Sequence, residues 1–191
     1  MVESQRMGDR PRLTILVGSL RAGSFNYAAA QVAERYLAGK ADVSWPDLSL
    51  VPFFNQDVEE LGDPPTVLAL KKAVAVSQIV LIFTPEYNFG VPAVTKNVID
   101  WLSRPFGNGC LTDRIVGIVA VGPSSRGGEN VREELLRICG TLSDRVYPKT
   151  LGIPRVSELA NGRLPETAES AVRLWVDEML VYGKRWPDAI S

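Results

Sequence analysis

Thr84-Pro85-Glu86-Tyr87-Asn88-Phe89-Gly90-Val91-Pro92 follows directly on the most hydrophobic run of the chain, Ile79-Val80-Leu81-Ile82-Phe83, and leads into a helical pattern from Val91 to Ser103. A continuous apolar run with no polar alternation reads as a strand covered on both faces, as in a parallel sheet. Open α/β sheets bind their ligands where such a strand ends in a turn and a helix begins. The stretch therefore predicts both an architecture and a place for a site.

The rest of the chain follows the same alternation. Working outward, Leu13 to Val17 is a β-branched run ending at Gly18, and Ser24 to Ala38 carries Ala29, Val32, Ala33, Tyr36 and Leu37 at helical spacing. Asp42 to Trp45 reads as a weaker edge strand. Asp47 to Gly62 has no clear period and carries Pro52, so it reads as a long loop forming part of a cleft wall. Asp63-Pro64-Pro65 opens a helix to about Ser77, since proline is tolerated in a first turn. Ile115 to Val121 is a further buried strand, Glu129 to Leu142 a helix, and Val146 to Ile153 a last strand interrupted by Pro148 and so placed at an edge. A helix from about Glu166 to Tyr182 closes the pattern. Five strands alternating with five helices predict a three-layer, doubly wound parallel sheet, and right-handed crossovers favour the order 2-1-3-4-5.

Composition narrows the function. The chain has 191 residues, 46% hydrophobic and 23% charged, with a formal net charge of −1. That is one domain's length, expected over residues 12–191, with residues 1–11 as a polar, disordered tail that is no secretory signal. A near-neutral balance carries no general basic field for nucleic acid. No apolar run approaches the roughly 20 residues of a membrane span. Two cysteines, Cys110 and Cys139, fit reduced thiols in a cytoplasmic protein better than a disulfide framework. Histidine is absent, which excludes Ser-His-Asp and Cys-His catalysis and His-containing zinc sites.

In the predicted order, three loops meet at the carboxyl ends of strands one, three and four. Gly18-Ser19-Leu20-Arg21-Ala22-Gly23-Ser24-Phe25-Asn26 supplies backbone N–H groups, hydroxyls, a guanidinium and a helix N-terminus, the components of a phosphate cradle. Ser24-Phe25 stands where a nucleoside-triphosphate loop needs Lys and Ser or Thr, and no G-x-G-x-x-G is present, so a terminal monophosphate fits best. The plainer alternative is an ordinary strand–turn–helix connection capped by Ser24. Pro85 to Gly90 offers amides, the Asn88 carboxamide and the Tyr87 and Phe89 rings, which suit a planar heteroaromatic ligand or simply plug the core. Gly122 to Gly128, with Ser124, Ser125 and Arg126, allows backbone to approach a flat ring, or is a flexible connection. Glu86 is the one carboxylate among these loops, and a lone carboxylate at a helix N-terminus is more often a dipole partner than an acid–base group. Trp101, Trp175 and Met179 fall in helical patterns and are expected in the core or at a subunit contact.

At Gly18-Ser19-x-Arg21-x-x-Ser24, Pro85-Glu86-Tyr87-Asn88 with Val91-Pro92, and Lys96-Asn97-x-x-Asp100-Trp101, the chain resembles the NAD(P)H-dependent FMN reductase family, a flavodoxin-like group that includes quinone, azo-dye and chromate reductases. The resemblance runs from about Leu13 to Ile153. It implies noncovalent FMN, with NAD(P)H as co-substrate and a small-molecule electron acceptor. Ser19, Arg21, Ser24 and Asn26, with the backbone at Phe25, would hold the phosphate. Pro85, Glu86, Tyr87, Asn88, Phe89 and Gly90 would line the ring, and Ser124, Ser125 and Gly127 would close its other edge. The resemblance also implies a homodimer or homotetramer, with the helix Val91 to Ser103 as the candidate surface. Many relatives carry a small or polar residue where Phe89 stands, and Arg126 could meet a nicotinamide-cofactor phosphate or only solvent. The alternatives left by the sequence are a flavodoxin-type one-electron carrier and a flavin-free regulatory module on the same fold.

Overall fold

A computed structural model describes residues 10–186. Five strands, β1 (Arg12–Val17), β2 (Asp42–Ser44), β3 (Ile79–Phe83), β4 (Ile115–Val121) and β5 (Leu151–Ile153), form one all-parallel sheet in the order β2-β1-β3-β4-β5. The expected order is the one observed. The helices are α1 (Phe25–Leu37), α2 (Gln56–Glu60), α3 (Pro65–Ala75), α4 (Ala93–Leu102), α5 (Glu129–Gly140) and α6 (Glu166–Gly183).

Strand alternation explains the layers, because successive side chains leave a strand on opposite faces. Ile79, Leu81 and Phe83 point to one face with Ile15, Val17 and Val119, against α1 and α6. Val80 and Ile82 point to the other with Leu16, Val116 and Ile118, against α3, α4 and α5. Every residue of β3 and of β4 is buried, as their unbroken apolar runs require. Gly117 of β4 faces α6, where a Cβ would lie 2.7 Å from the Trp175 ring. The missing side chain is the room that Trp175 fills.

Two expectations need correction, and a third lies mostly outside the described residues. The segment Asp47 to Gly62 is not a bare loop: Asp47 caps a single 3₁₀ turn, Leu48–Leu50, and Asn55 caps the short helix α2. The last strand is shorter than Val146–Ile153, with Val146 making an isolated bridge to Val116 and regular pairing resuming only at Leu151, after Pro148. The proline removes a donor from the ladder, which explains the gap. Residues 1–9 of the expected tail lie outside the described residues, but 10 and 11 are tied down. Pro11 accepts a hydrogen bond from the Asp42 N–H at 2.9 Å, and Arg10 lies 3.5 Å from the Asp42 carboxylate.

Candidate functional site

The carboxyl ends of β1, β3 and β4 carry the three predicted loops, and each is built differently. In the first, Gly18 lets the chain press on its neighbours, since a Cβ there would overlap the Thr95 hydroxyl and come within 2.8 Å of that of Thr84. Ser24 caps α1, its Oγ accepting from the Tyr27 N–H at 3.1 Å. The N–H groups of Ser19 to Gly23, and of Phe25 and Asn26 in the first helical turn, have no acceptor among the described residues. They form a row of donors at the positive end of a helix. Arg21 is exposed, with its guanidinium carbon 4.9 Å from the centre of the Phe25 ring. Asn26 departs from expectation. Its carboxamide is buried and clamps the main chain of β4, donating to the Val121 C=O and accepting from the Val121 N–H, both at 2.9 Å. With both ends engaged inside the protein, the side chain serves as a structural clamp, and what Asn26 offers the donor row is its main-chain N–H.

The second loop is a tight turn. Tyr87 and Gly90 exchange N–H···O=C bonds at 3.0 and 3.2 Å, and the two central residues, Asn88 (φ 50°) and Phe89 (φ 62°), are both left-handed. Positive φ at both positions is the type I′ geometry. Tyr87, Asn88 and Phe89 are exposed on its tip. Glu86 is engaged elsewhere: its carboxylate accepts from the Val131 N–H at 3.1 Å and from the Asn130 carboxamide at 3.3 Å, so it sits on the N-terminus of α5. Glu134 of α5 answers by accepting from the Val91 N–H at 3.1 Å. Two carboxylates thus bolt the turn to α5, and Glu86 is the dipole partner expected of it, though for α5 and not for the helix that follows it in sequence.

In the third loop, Ser124, Ser125 and Arg126 are exposed. The Arg126 guanidinium carbon lies 5.8 Å from the Phe89 ring centre and its Nε 3.5 Å from Glu129. Gly127 is not exposed with them. It is buried at φ 55°, and a Cβ would lie 2.9 Å from the Gly152 carbonyl carbon, so it serves the packing of the loop on β5. Lys96-Asn97-x-x-Asp100-Trp101 has a legible structural purpose. Asn97 accepts from the Phe54 N–H at 2.7 Å and donates to the Pro52 C=O, while the Trp101 indole donates to the same carbonyl at 2.8 Å. These bonds pin the segment after β2 to α4.

Comparison with known proteins follows from this geometry. Residues 11–157 match the family described as NADPH-dependent FMN reductase. The chain belongs to this FMN reductase family. Among relatives, it is 39% identical over 99 residues to an NAD(P)H-dependent FMN reductase of Pseudomonas aeruginosa, covering 52% of this chain and 54% of that protein. It is 30% identical over 131 residues to a 2-hydroxy-1,4-benzoquinone reductase of a Burkholderia species, covering 69% and 71%. The chain thus spans about half the length of the Pseudomonas relative it matches. A solved structure, the flavoenzyme NAD(P)H:(acceptor) oxidoreductase FerB of Paracoccus denitrificans, superposes with a TM-score of 0.79 over 92% of this chain and 98% of that one, at 23% identity. That likeness establishes the shared fold.

This FMN reductase family member has a further feature that the sequence analysis did not locate. A cavity of about 550 Å³ lies beside the first loop, on the β2 side. Ser19, Leu20, Arg21 and Ala22 form one wall, Ile15 and Val17 the floor, Tyr27 and Glu34 of α1 a second wall, and Trp45 to Ser49 the third. The legible signal was the position of Trp45 and Asp47 just past the carboxyl end of a strand. Neither thiol offers chemistry: burial pushes Cys139 up to about 12 and raises Cys110 above its ordinary value, so both stay protonated near neutral pH. No helix of the described residues is long and apolar enough to cross a membrane.

Proposed function

We propose that the protein binds FMN noncovalently and uses it to pass hydride from NADH or NADPH to a small-molecule acceptor, a quinone, azo compound, free flavin or metal oxyanion. The observation that carries this reading is the row of N–H groups from Ser19 to Gly23, without acceptors among the described residues, at the N-terminus of α1. Those donors, with the Ser19 and Ser24 hydroxyls and the Arg21 guanidinium, match the phosphate of FMN in number and in sign. The family match over residues 11–157 supports the same ligand. Bound there, FMN would supply the hydride-accepting and hydride-donating chemistry.

The chain's own part is binding and orientation. Pro85 to Gly90 frames one edge of a flat ring, with the type I′ turn holding the Asn88 carboxamide and the Tyr87 and Phe89 rings at the tip. Ser124 and Ser125 are exposed on the loop that follows β4. Glu86 is engaged with α5, so we assign it no proton transfer. Main-chain N–H groups near the ring would stabilise negative charge that develops on it.

The test is anaerobic mixing of the yellow, FMN-loaded protein with NADH or NADPH. Bleaching within seconds, and recovery of colour on adding a quinone, is expected. Loss of flavin colour during purification, or a bound flavin that neither nicotinamide bleaches, would refute the reading; the second result would point to a one-electron carrier. Replacing Arg21 and Ser24 by Ala should weaken FMN binding by roughly tenfold or more, the scale of a lost charge-assisted contact. The rate of flavin reduction in FMN-saturated variant should change much less.

We extend the proposal to a cytoplasmic homodimer or homotetramer. α4 itself leaves little surface, with Ala93 and Lys96 exposed. The segments it anchors or precedes carry Phe53, Leu61 and Phe106, each more than three-quarters exposed, and these flanks are the better candidate for the contact.

A further inference from the structure

We infer that the cavity between the first loop and the end of β2 holds the adenosine half of the nicotinamide dinucleotide, and that it selects the form with a free ribose 2′-hydroxyl, NADH over NADPH. The inference rests on the reductase reading above and concerns a cavity that shares one wall, Ser19 to Ala22, with the phosphate cradle and otherwise lies outside it. At about 550 Å³ the cavity is of ligand size.

Its lining sorts into the parts of a nucleotide. Ile15 and Val17 make an apolar floor. Tyr27 and Trp45 stand together as an edge-to-face pair, ring centres 5.5 Å apart, and give a purine aromatic surface. The Trp45 indole N–H is buried away from the cavity surface, so the ring contributes its apolar area and not a donor.

The charges decide between the two dinucleotides. Arg21 is opposed by two carboxylates, Asp47 and Glu34, so the lining carries one positive and two negative groups. Asp47 is held ionised, because the Ser49 hydroxyl and N–H donate to it at 2.6 and 2.9 Å and lower its pKa. A ribose diol donates to such a carboxylate, whereas a 2′-phosphate meets it with like charge. In Rossmann folds, whose G-x-G-x-x-G loop this chain lacks, an acidic residue past the second strand makes the same discrimination.

The occupant must also be two-ended. None of the residues from Glu86 to Gly90, and none of Ser124 to Gly127, lines the cavity. A molecule seated wholly within it does not touch the flavin-ring frame, so a compact acceptor such as a quinone gains nothing there. A dinucleotide has one end that reacts and another that only binds.

The experiment uses the FMN-loaded protein and two probes, 5′-AMP and adenosine 2′,5′-bisphosphate, titrated by calorimetry, with steady-state KM values for NADH and NADPH alongside. Expected are binding of 5′-AMP, binding of the bisphosphate weaker by about tenfold, and a lower KM for NADH, on the scale of one charged hydrogen bond. Asp47→Asn keeps a capping side chain on the turn and should narrow both preferences toward unity, with FMN content unchanged. Trp45→Leu should weaken both probes. Equal or tighter binding of the bisphosphate, no binding of either probe, or an Asp47→Asn variant with its preference intact would each overturn the inference. The titrations read out without turnover. If nicotinamides bleach the flavin while the probes fail to bind, only the cavity assignment is lost; if no nicotinamide bleaches it, the reductase reading is lost and the titrations still decide the cavity.

Discussion

Phe89 sits at φ 62° in a turn whose geometry favours Asn-Gly, and its ring is 76% exposed. A bulky residue held left-handed costs on the order of 1 kcal/mol, and strain of this kind collects at sites where it serves a function. Burial does not compensate here, and the Arg126 guanidinium lies 5.8 Å from the ring centre. Phe89→Gly should therefore raise stability by up to about 1 kcal/mol, or 2–4 °C in Tm for a domain of this size. A fall in Tm in thermal unfolding would show that the ring has a packing role in the free protein. Asn26 predicts the opposite sign. Its replacement by Ala leaves the Val121 N–H and C=O buried and unpaired, a loss of about 2–3 kcal/mol. Denaturant unfolding checks this, and a variant of full stability that binds FMN poorly would return Asn26 to the phosphate site.

At the scale of elements, carboxylates placed at helix starts do much of the joining. Glu86 on α5 and Glu134 on the Val91 N–H couple the ring-framing turn to a helix far along the chain. Glu86→Ala should cost about 1 kcal/mol, the worth of a lost cap, and should loosen the turn, read as faster amide exchange at Val131. Glu169, in the first turn of α6, is buried with Arg163 donating to both its oxygens at 3.1 and 2.9 Å and Arg173 and Arg35 nearby. The Arg163 hydrogen bonds hold its carboxyl below the ordinary value of 4.5. A depressed folded-state pKa contributes stability at pH above that value, and the contribution is lost as pH falls through the folded pKa. Glu169→Gln should accordingly be less stable at pH 7 and show a shallower loss of Tm from pH 5 to pH 3. Parallel acid-unfolding curves for the two proteins would contradict this.

For the whole molecule, packing between the layers is as exacting as within them. A Cβ at Gly117 would lie 2.7 Å from the Trp175 ring and 3.0 Å from Leu81, so Gly117→Ala should cost about 1–3 kcal/mol by overpacking, measured in urea unfolding. Much of the architecture was legible in the chain. The unbroken apolar runs of β3 and β4 could only be strands covered twice, and their alternation with helical spacing leaves few topologies once crossovers are right-handed. From that order the three loops follow, and with them the donor row at Ser19 to Gly23. What could not be read is the direction of individual side chains. Asn26 follows the cradle in sequence yet turns to β4, because two main-chain groups of Val121 offered it a complete pair of bonds. Gly127 looks like a ring-approaching glycine and is a packing one, for its neighbour Gly152 comes from a strand 25 residues on. Trp45 and Asp47 acquired their place in a cavity only when α1 and the first loop closed the other walls. Hydrophobic periodicity is a local property and determined the sheet, its order and the position of the crevice. Which polar groups face that crevice depends on partners brought together across tens of residues, and only the tertiary structure decided it.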